Sequence, residues 1–184
     1  ETLRGLESAK RSGIRSLYGW HFELFGHKIF QVSHKHQVDT RQEGNLLLPP
    51  ACHQFDIVEG SGMRKESVKQ LNRNNVYWTP STSNFANIDA AIALNGTLYC
   101  IQYTVSGSHT FSCRTFFSDF WEELLPRLRQ TISKVIVVFV VPQGVNFRAV
   151  VIPKSQKSLS SGITSADGIN VVFRKAVEII AYFL

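Results

Sequence analysis

The order of predicted elements specifies an α/β domain with a mixed central sheet flanked by helices. Three observations carry this. Apolar residues recur at helical spacing from Ser12 to Gln31 and again from Phe116 to Gln130. Two strand-like runs flank Asn95-Gly96, the strongest short-range hairpin signal, because both central residues of a type I′ turn need positive φ. The uninterrupted Val-Ile-Val-Val-Phe-Val-Val run within Lys134 to Val141 suits a strand buried on both faces, as in a parallel sheet core. Helix, strand, hairpin, helix and buried strand give the order αβββαβ.

Each element has a local reason. Ser12 is a suitable N-cap for the first helix, whose Leu17, Trp20, Phe22, Leu24, Phe25, Ile29 and Phe30 suit packing on a core. Glu23 and His27 lie four residues apart and share one face. A short strand is expected near Gln37 to Thr40, then a loop through Pro49-Pro50. Phe55 and Ile57 alternate with polar residues in a strand from His53 to Val58. A glycine-rich turn spans Glu59 to Arg64, and Glu66 to Leu71 fits one helical turn. Val76-Tyr77-Trp78 is strand-like and stops at Pro80, and a polar loop, Ser81 to Asn84, leads into a hairpin over Ile88 to Val105. Ser106 to Thr110 breaks the pattern. Phe116, Phe117, Phe120, Trp121, Leu124, Leu125 and Leu128 then form a broad apolar helical face. Phe147 to Ile152 is another strand, and Lys154 to Asp167 is a Ser- and Gly-rich loop. Asn170 to Leu184 is a helix, or a strand followed by a helix.

A chain of 184 residues, 43% hydrophobic and 18% charged, is a globular domain with a real core. We expect one domain over 1–184, with its core over about 12–142 and a C-terminal extension over 143–184. The formal net charge of +6 favours polyanions such as nucleic acid, or acidic surfaces. No apolar run is long enough to span a membrane, so no membrane partner is expected. Cys52, Cys100 and Cys113 have no CxxC spacing and read as ordinary thiols, not a zinc site or disulfide framework. Asn95-Gly96-Thr97 is formally a glycosylation sequon, but a turn explains it better. The charged opening, Glu1 to Lys10, contains no signal peptide and suits an excised domain.

With Asn95-Gly96 as a two-residue loop, Leu94 faces Thr97, Asp89 faces Gln102 and Asn87 faces Thr104. Directly opposed residues lie about 5 Å apart at Cβ and share a face. A carboxylate and an amide oxygen so placed suit a hard cation such as Mg²⁺. The alternative is a solvated polar pair on an open sheet face. Arg64, Lys65, Lys69 and Arg73 form a basic cluster beside Tyr77 and Trp78. Such a cluster tracks a phosphate backbone while aromatics stack on bases, or it is simply a solvated face. His34 and His36, with Lys35, form an exposed basic turn.

Five segments together resemble a known family. They are His21-Phe22-Glu23-Leu24-Phe25-Gly26-His27-Lys28, Tyr77-Trp78-Thr79-Pro80, Asn84-Phe85-Ala86-Asn87-Ile88-Asp89, Gln102-Tyr103-Thr104-Val105-Ser106 with His109, and Val138-Phe139-Val140-Val141-Pro142. Their order resembles the PD-(D/E)XK, or restriction-endonuclease-like, superfamily. More closely, it is similar to the nuclease-like domain of Crinkler and retrotransposon-hot-spot proteins. The resemblance implies that Asp89 and Gln102 hold Mg²⁺ or Mn²⁺ and that Glu23 reaches the same site directly or through a water. It implies that His109 contacts a phosphate or shuttles a proton. The superfamily's lysine falls on Thr104, whose hydroxyl supplies no cation. Lys28, His27, His109 and Arg114 are the candidates to substitute. The implied activity is metal-dependent endonuclease cleavage of nucleic acid, DNA rather than RNA, weakened by Thr104. The alternative is a catalytically inactive module of the same fold that binds nucleic acid or protein. The implied setting is an effector delivered to a host nucleus, or an intracellular protein, with a host protein or a second copy as a further partner.

Overall fold

The computed structural model describes residues 2–32, 55–82, 85, 88–142, 144–147, 149–151 and 170–177. The strand near Gln37 to Thr40, the turn at His34 to His36, Pro49-Pro50, Cys52 and the loop from Lys154 to Asp167 lie outside them.

The chain begins with two helices, not one: α1 (Thr2–Ser12) and α2 (Arg15–Val32). Ser12 closes α1 instead of capping its successor. Its hydroxyl donates to the Ala9 carbonyl at 2.7 Å and accepts the Ile14 N–H at 3.2 Å. Gly13 then takes φ 72°, the left-handed conformation that ends helices and favours glycine. The chain doubles back, and α1 buries Leu6 and Ala9.

The main sheet has six strands in the order β1-β2-β3-β4-β6-β8. β1 (Asp56–Glu59) lies parallel to β2 (Val76–Thr79) and is joined to it through α3 (Arg64–Val68). β2, β3 (Ala90–Leu94) and β4 (Thr97–Tyr103) form an antiparallel meander. Asn95 and Gly96 have φ 48° and 75°, and pairing runs from Leu94↔Thr97 to Ala90↔Ile101. That is the register a two-residue loop dictates. A crossover returns the chain parallel to β4 as β6 (Lys134–Val141). β6 is an inner strand with Val135 to Val141 all buried, which accounts for its unbroken apolar run.

Two expectations need correction, and one open alternative is decided. The crossover is not one helix from Phe116 to Gln130. It comprises α4 (Cys113–Phe116), one π-helical turn (Phe117–Trp121) and α5 (Pro126–Arg129). Pro126 lacks an N–H and sits at the start of α5, so a helix running through it is broken. The C-terminal segment opens as a strand, β8 (Asn170–Val177), parallel to β6, which agrees with the strand-first alternative and adds a strand to the main sheet. Finally, β5 (Ser108–Thr110) turns the expected break after β4 into a strand, pairing with β7 (Ala149–Val151) in a separate two-stranded sheet. No helix among the described residues is long and apolar enough to cross a membrane.

Strand alternation divides β4 between two cores. Leu98 and Cys100 join Trp78, Phe85, Phe116, Phe120, Trp121 and Phe139 on the crossover face. Ile101 and Tyr103 join Leu6, Phe22, Phe25 and Tyr77 on the α1–α2 face. Burial pushes the Cys100 thiol pKa up and keeps it a neutral packing group.

Candidate functional site

Asp89 stands immediately before β3, where the strand pair opens. Its N–H donates to the Ile101 carbonyl at 2.9 Å, and its Oδ2 accepts the Tyr103 N–H at 2.7 Å. A backbone donor of β4 is thus satisfied by a side chain, which holds the carboxylate in the plane of the sheet at its end. Asp89 is only 6% exposed. Burial, then the charge of Glu23, push its carboxyl to about 8, and the Tyr103 N–H opposes the rise. Two carboxylates from distant elements therefore sense each other at one end of the sheet.

Glu23 belongs to a chain of polar groups running inward from α2. His27 Nε2 lies 3.6 Å from Glu23 Oε1, one helical turn away. His27 Nδ1 is 2.8 Å from the Tyr77 hydroxyl, which is 3.1 Å from the Tyr103 hydroxyl. Burial raises the pKa of both phenols, so both stay neutral and able to hydrogen-bond. Gly26 makes this arrangement possible, because a Cβ there would collide with the Tyr103 ring. Tyr77, Tyr103 and Gly26 shape the candidate site from within the family-like segments, although no role in placing the carboxylates was expected of them. Strand alternation already separates Tyr103 from Gln102, but the face that α2 covers is a long-range fact.

Gln102 Oε1 accepts no hydrogen bond from this group. Alternation sends it, with Thr104, to the crossover face, where its β6 neighbour is Phe139. It is 6% exposed, and its Oε1 is buried with no hydrogen-bond partner. His109 lies on that same face, its ring centroid 5.8 Å from Phe139 and its Nδ1 2.9 Å from the Thr110 carbonyl. Thr104 is occupied as a turn residue. Its Oγ1 accepts the Ser106 N–H at 3.1 Å, and its own N–H donates to Val140. Gln102, Thr104 and His109 thus take the crossover face of β4, the face to which alternation from Ala91 and Ala93 also assigns the Asp89 position, while the charge of Glu23 on α2 reaches Asp89 from the other side. Among the described residues, no group of three or more His, Cys, Asp or Glu side chains is arranged to hold a metal.

The basic cluster also differs from expectation. Lys65 pairs with Glu123 and Arg73 with Asp56, each at 2.8 Å, so only Arg64 and Lys69 remain as simple exposed cations. Tyr77 and Trp78 are fully buried and present no ring to a base. Trp78 Nε1 instead donates to the Ser67 carbonyl at 2.9 Å. Conversely Trp20, expected in the core, is 56% exposed. Helical periodicity identifies a face but not what covers it. Lys28 and Arg114 are exposed. Comparison with family models, curated proteins and solved structures returns no match for this chain.

Proposed function

We propose that this chain is a divergent, metal-dependent nuclease-like domain of restriction-endonuclease type acting on nucleic acid, with DNA the expected substrate. One observation carries the reading. Asp89, at the head of the central hairpin, is electrostatically coupled to Glu23 of α2 at the end of a mixed sheet. The β2–β3–β4 meander and the parallel crossover to β6 within an α/β fold support the reading.

The residues fit a hard cation. Mg²⁺ is commonly held by one or two carboxylates, with water and substrate phosphate oxygens completing its shell. Asp89 and Glu23 would hold it, with the buried, unpartnered Oε1 of Gln102 as the further oxygen. When bound, Mg²⁺ or Mn²⁺ supplies Lewis-acid polarisation of a phosphate ester. The chain's own groups do the rest. Asp89 is fixed by the Tyr103 N–H, and His27 orients Glu23 while it is anchored by Tyr77. With its carboxyl near 8, Asp89 must release a proton before it can serve as a ligand, so cation affinity rises with pH.

A plasmid-nicking assay with Mg²⁺, Mn²⁺ or EDTA tests this. Wild type should nick only with a divalent cation. Asp89→Ala should lose activity at least ~10²-fold, as removal of a preorganised charge typically does. A folded wild type inactive in every metal rejects the enzyme reading.

One observation favours a second reading, a non-catalytic nucleic-acid-binding module. The position of the expected lysine is Thr104, and its hydroxyl is bound into a turn. In that case DNA binding survives in Asp89→Ala and no metal elicits cleavage. A host-nuclear setting, and a host protein or second copy as partner, rest on the motif likeness alone.

A further inference from the structure

The elbow between α1 and α2 exposes side chains that a folded domain ordinarily covers. Trp20 is 56% exposed, Ile14 55% and Leu17 37%. Lys10, Arg11 and Arg15 are exposed beside them, and none forms an ion pair with a described residue. The elbow is also fixed in position. Arg15 Nη2 reaches the Ser106 Oγ at 3.5 Å, and Gly19 faces the Val105 side chain. Val105 and Ser106 follow β4 directly, so the elbow sits at the same end of the sheet as Asp89. Trp20 and Glu23 are three residues apart on α2 and therefore neighbours on its surface.

We propose that this elbow binds a single-stranded segment of nucleic acid. Trp20 stacks on an unpaired base, and Lys10, Arg11 and Arg15 hold the flanking phosphates. A projecting indole flanked by cations matches the alternation of base and phosphate along a strand. A paired base offers no free face to stack on, so the chemistry selects a single strand, an end or a flap. An anionic membrane also attracts basic and apolar groups. Here, however, Trp20 lies one helical turn from Glu23, at the end of the sheet that carries Asp89, where the proposed function brings a strand. The inference rests on the proposed function only for where the bound strand leads.

The test uses short fluorescein-labelled single-stranded DNA and RNA with EDTA present, read by anisotropy and tryptophan quenching. Trp78 and Trp121 are buried, so quenching reports Trp20. Trp20→Ala should weaken binding about 5- to 100-fold, the range for loss of one base–aromatic stack. Trp20→Phe should restore part of it. Arg11→Glu with Arg15→Glu should weaken binding further and flatten its salt dependence. Affinities equal to wild type in both the Trp20→Ala and double-arginine variants overturn the proposal. So does tight binding to phosphatidylserine vesicles with no oligonucleotide binding. Cleavage is scored separately. Binding through the elbow without cleavage in any metal removes the nuclease reading and leaves this one. Cleavage with unchanged binding in the elbow variants does the reverse.

Discussion

The two faces of the main sheet are held by different chemistry. On the crossover face, Trp78, Phe85, Phe116 and Phe120 interlock, with the Trp78–Phe120 centroids 5.5 Å apart and Phe116–Phe120 5.6 Å apart. On the α1–α2 face, two buried tyrosines and a half-buried histidine form a hydrogen-bonded line, with the Glu23 carboxylate 3.6 Å from His27 at its outer end and Asp89 held by the Tyr103 N–H at its inner end. Aromatic packing is adjustable and tolerates small shifts. A buried polar line is stable only when each member meets its partner, and it then imposes one geometry. The face that fixes polar positions is also the face that meets Glu23 and Asp89. Rigidity is concentrated where charge must be placed, and apolar burial on the other face supplies bulk stability.

The largest expected effect concerns Asp89. Its carboxyl is raised from an ordinary 3.8 to about 8 by burial and by Glu23. The folded state thus holds this proton more tightly than the unfolded chain. The contribution to stability is complete below about pH 4 and is lost as pH rises toward 8. Linkage sets the slope at about 1.4 kcal/mol per pH unit within that window. Asp89→Asn should therefore melt increasingly above wild type from pH 4 to 8, and the gap should level off beyond. Glu23→Gln should lower the upper edge of the window. A gap that does not change with pH means that Asp89 titrates as an exposed acid, and the contrast between the faces fails at its most charged point.

The opposite face should respond to loss of volume and be insensitive to pH. Phe120→Ala removes a fully buried ring from the aromatic cluster. Large-to-small changes of this kind cost about 3–5 kcal/mol. Urea titration at pH 5 and pH 8 should give the same loss at both. A loss that differs strongly between the two pH values means that the faces are energetically coupled through the sheet.

The hairpin was legible because its signal is local. Asn95-Gly96 determines the turn, the turn determines the register, and the register carries Asp89 toward the end of β4. β6 was legible because only an inner strand has reason to be apolar at seven consecutive positions. The crossover was misread although Pro126 marks the break, since the Phe-rich spacing before it masks the proline. Gly13 likewise signals a helix end that the apolar pattern runs across. The exposure of Trp20 was not legible, and the approach of Glu23 to Asp89 was expected only from the motif resemblance. Both depend on how α2 is laid on the sheet, and no local pattern carries that. The opposed register was read correctly, but it does not state which backbone and side-chain groups each polar residue meets. Asp89 Oδ2 meets the Tyr103 N–H, and Gln102 Oε1 is buried beside Phe139 on β6 with no hydrogen-bond partner.

The smallest effect is the most discriminating. Tyr77→Phe removes the middle hydroxyl of the polar line and deprives both His27 Nδ1 and the Tyr103 hydroxyl of their shared partner. Leaving buried polar groups unsatisfied costs about 1–3 kcal/mol. Tyr103→Phe removes the inner hydroxyl and leaves the Tyr77–His27 contact intact, so its cost should be nearer the ~1 kcal/mol of one ordinary hydrogen bond. The double variant completes a cycle. With a connected line, the two losses are not additive, because once Tyr77 has lost its hydroxyl that of Tyr103 has less left to lose. Thermal melts at a single pH measure all four corners. Additive losses of similar size mean that the two phenols act as independent buried groups, and that the α1–α2 face has no ordered line to position Glu23.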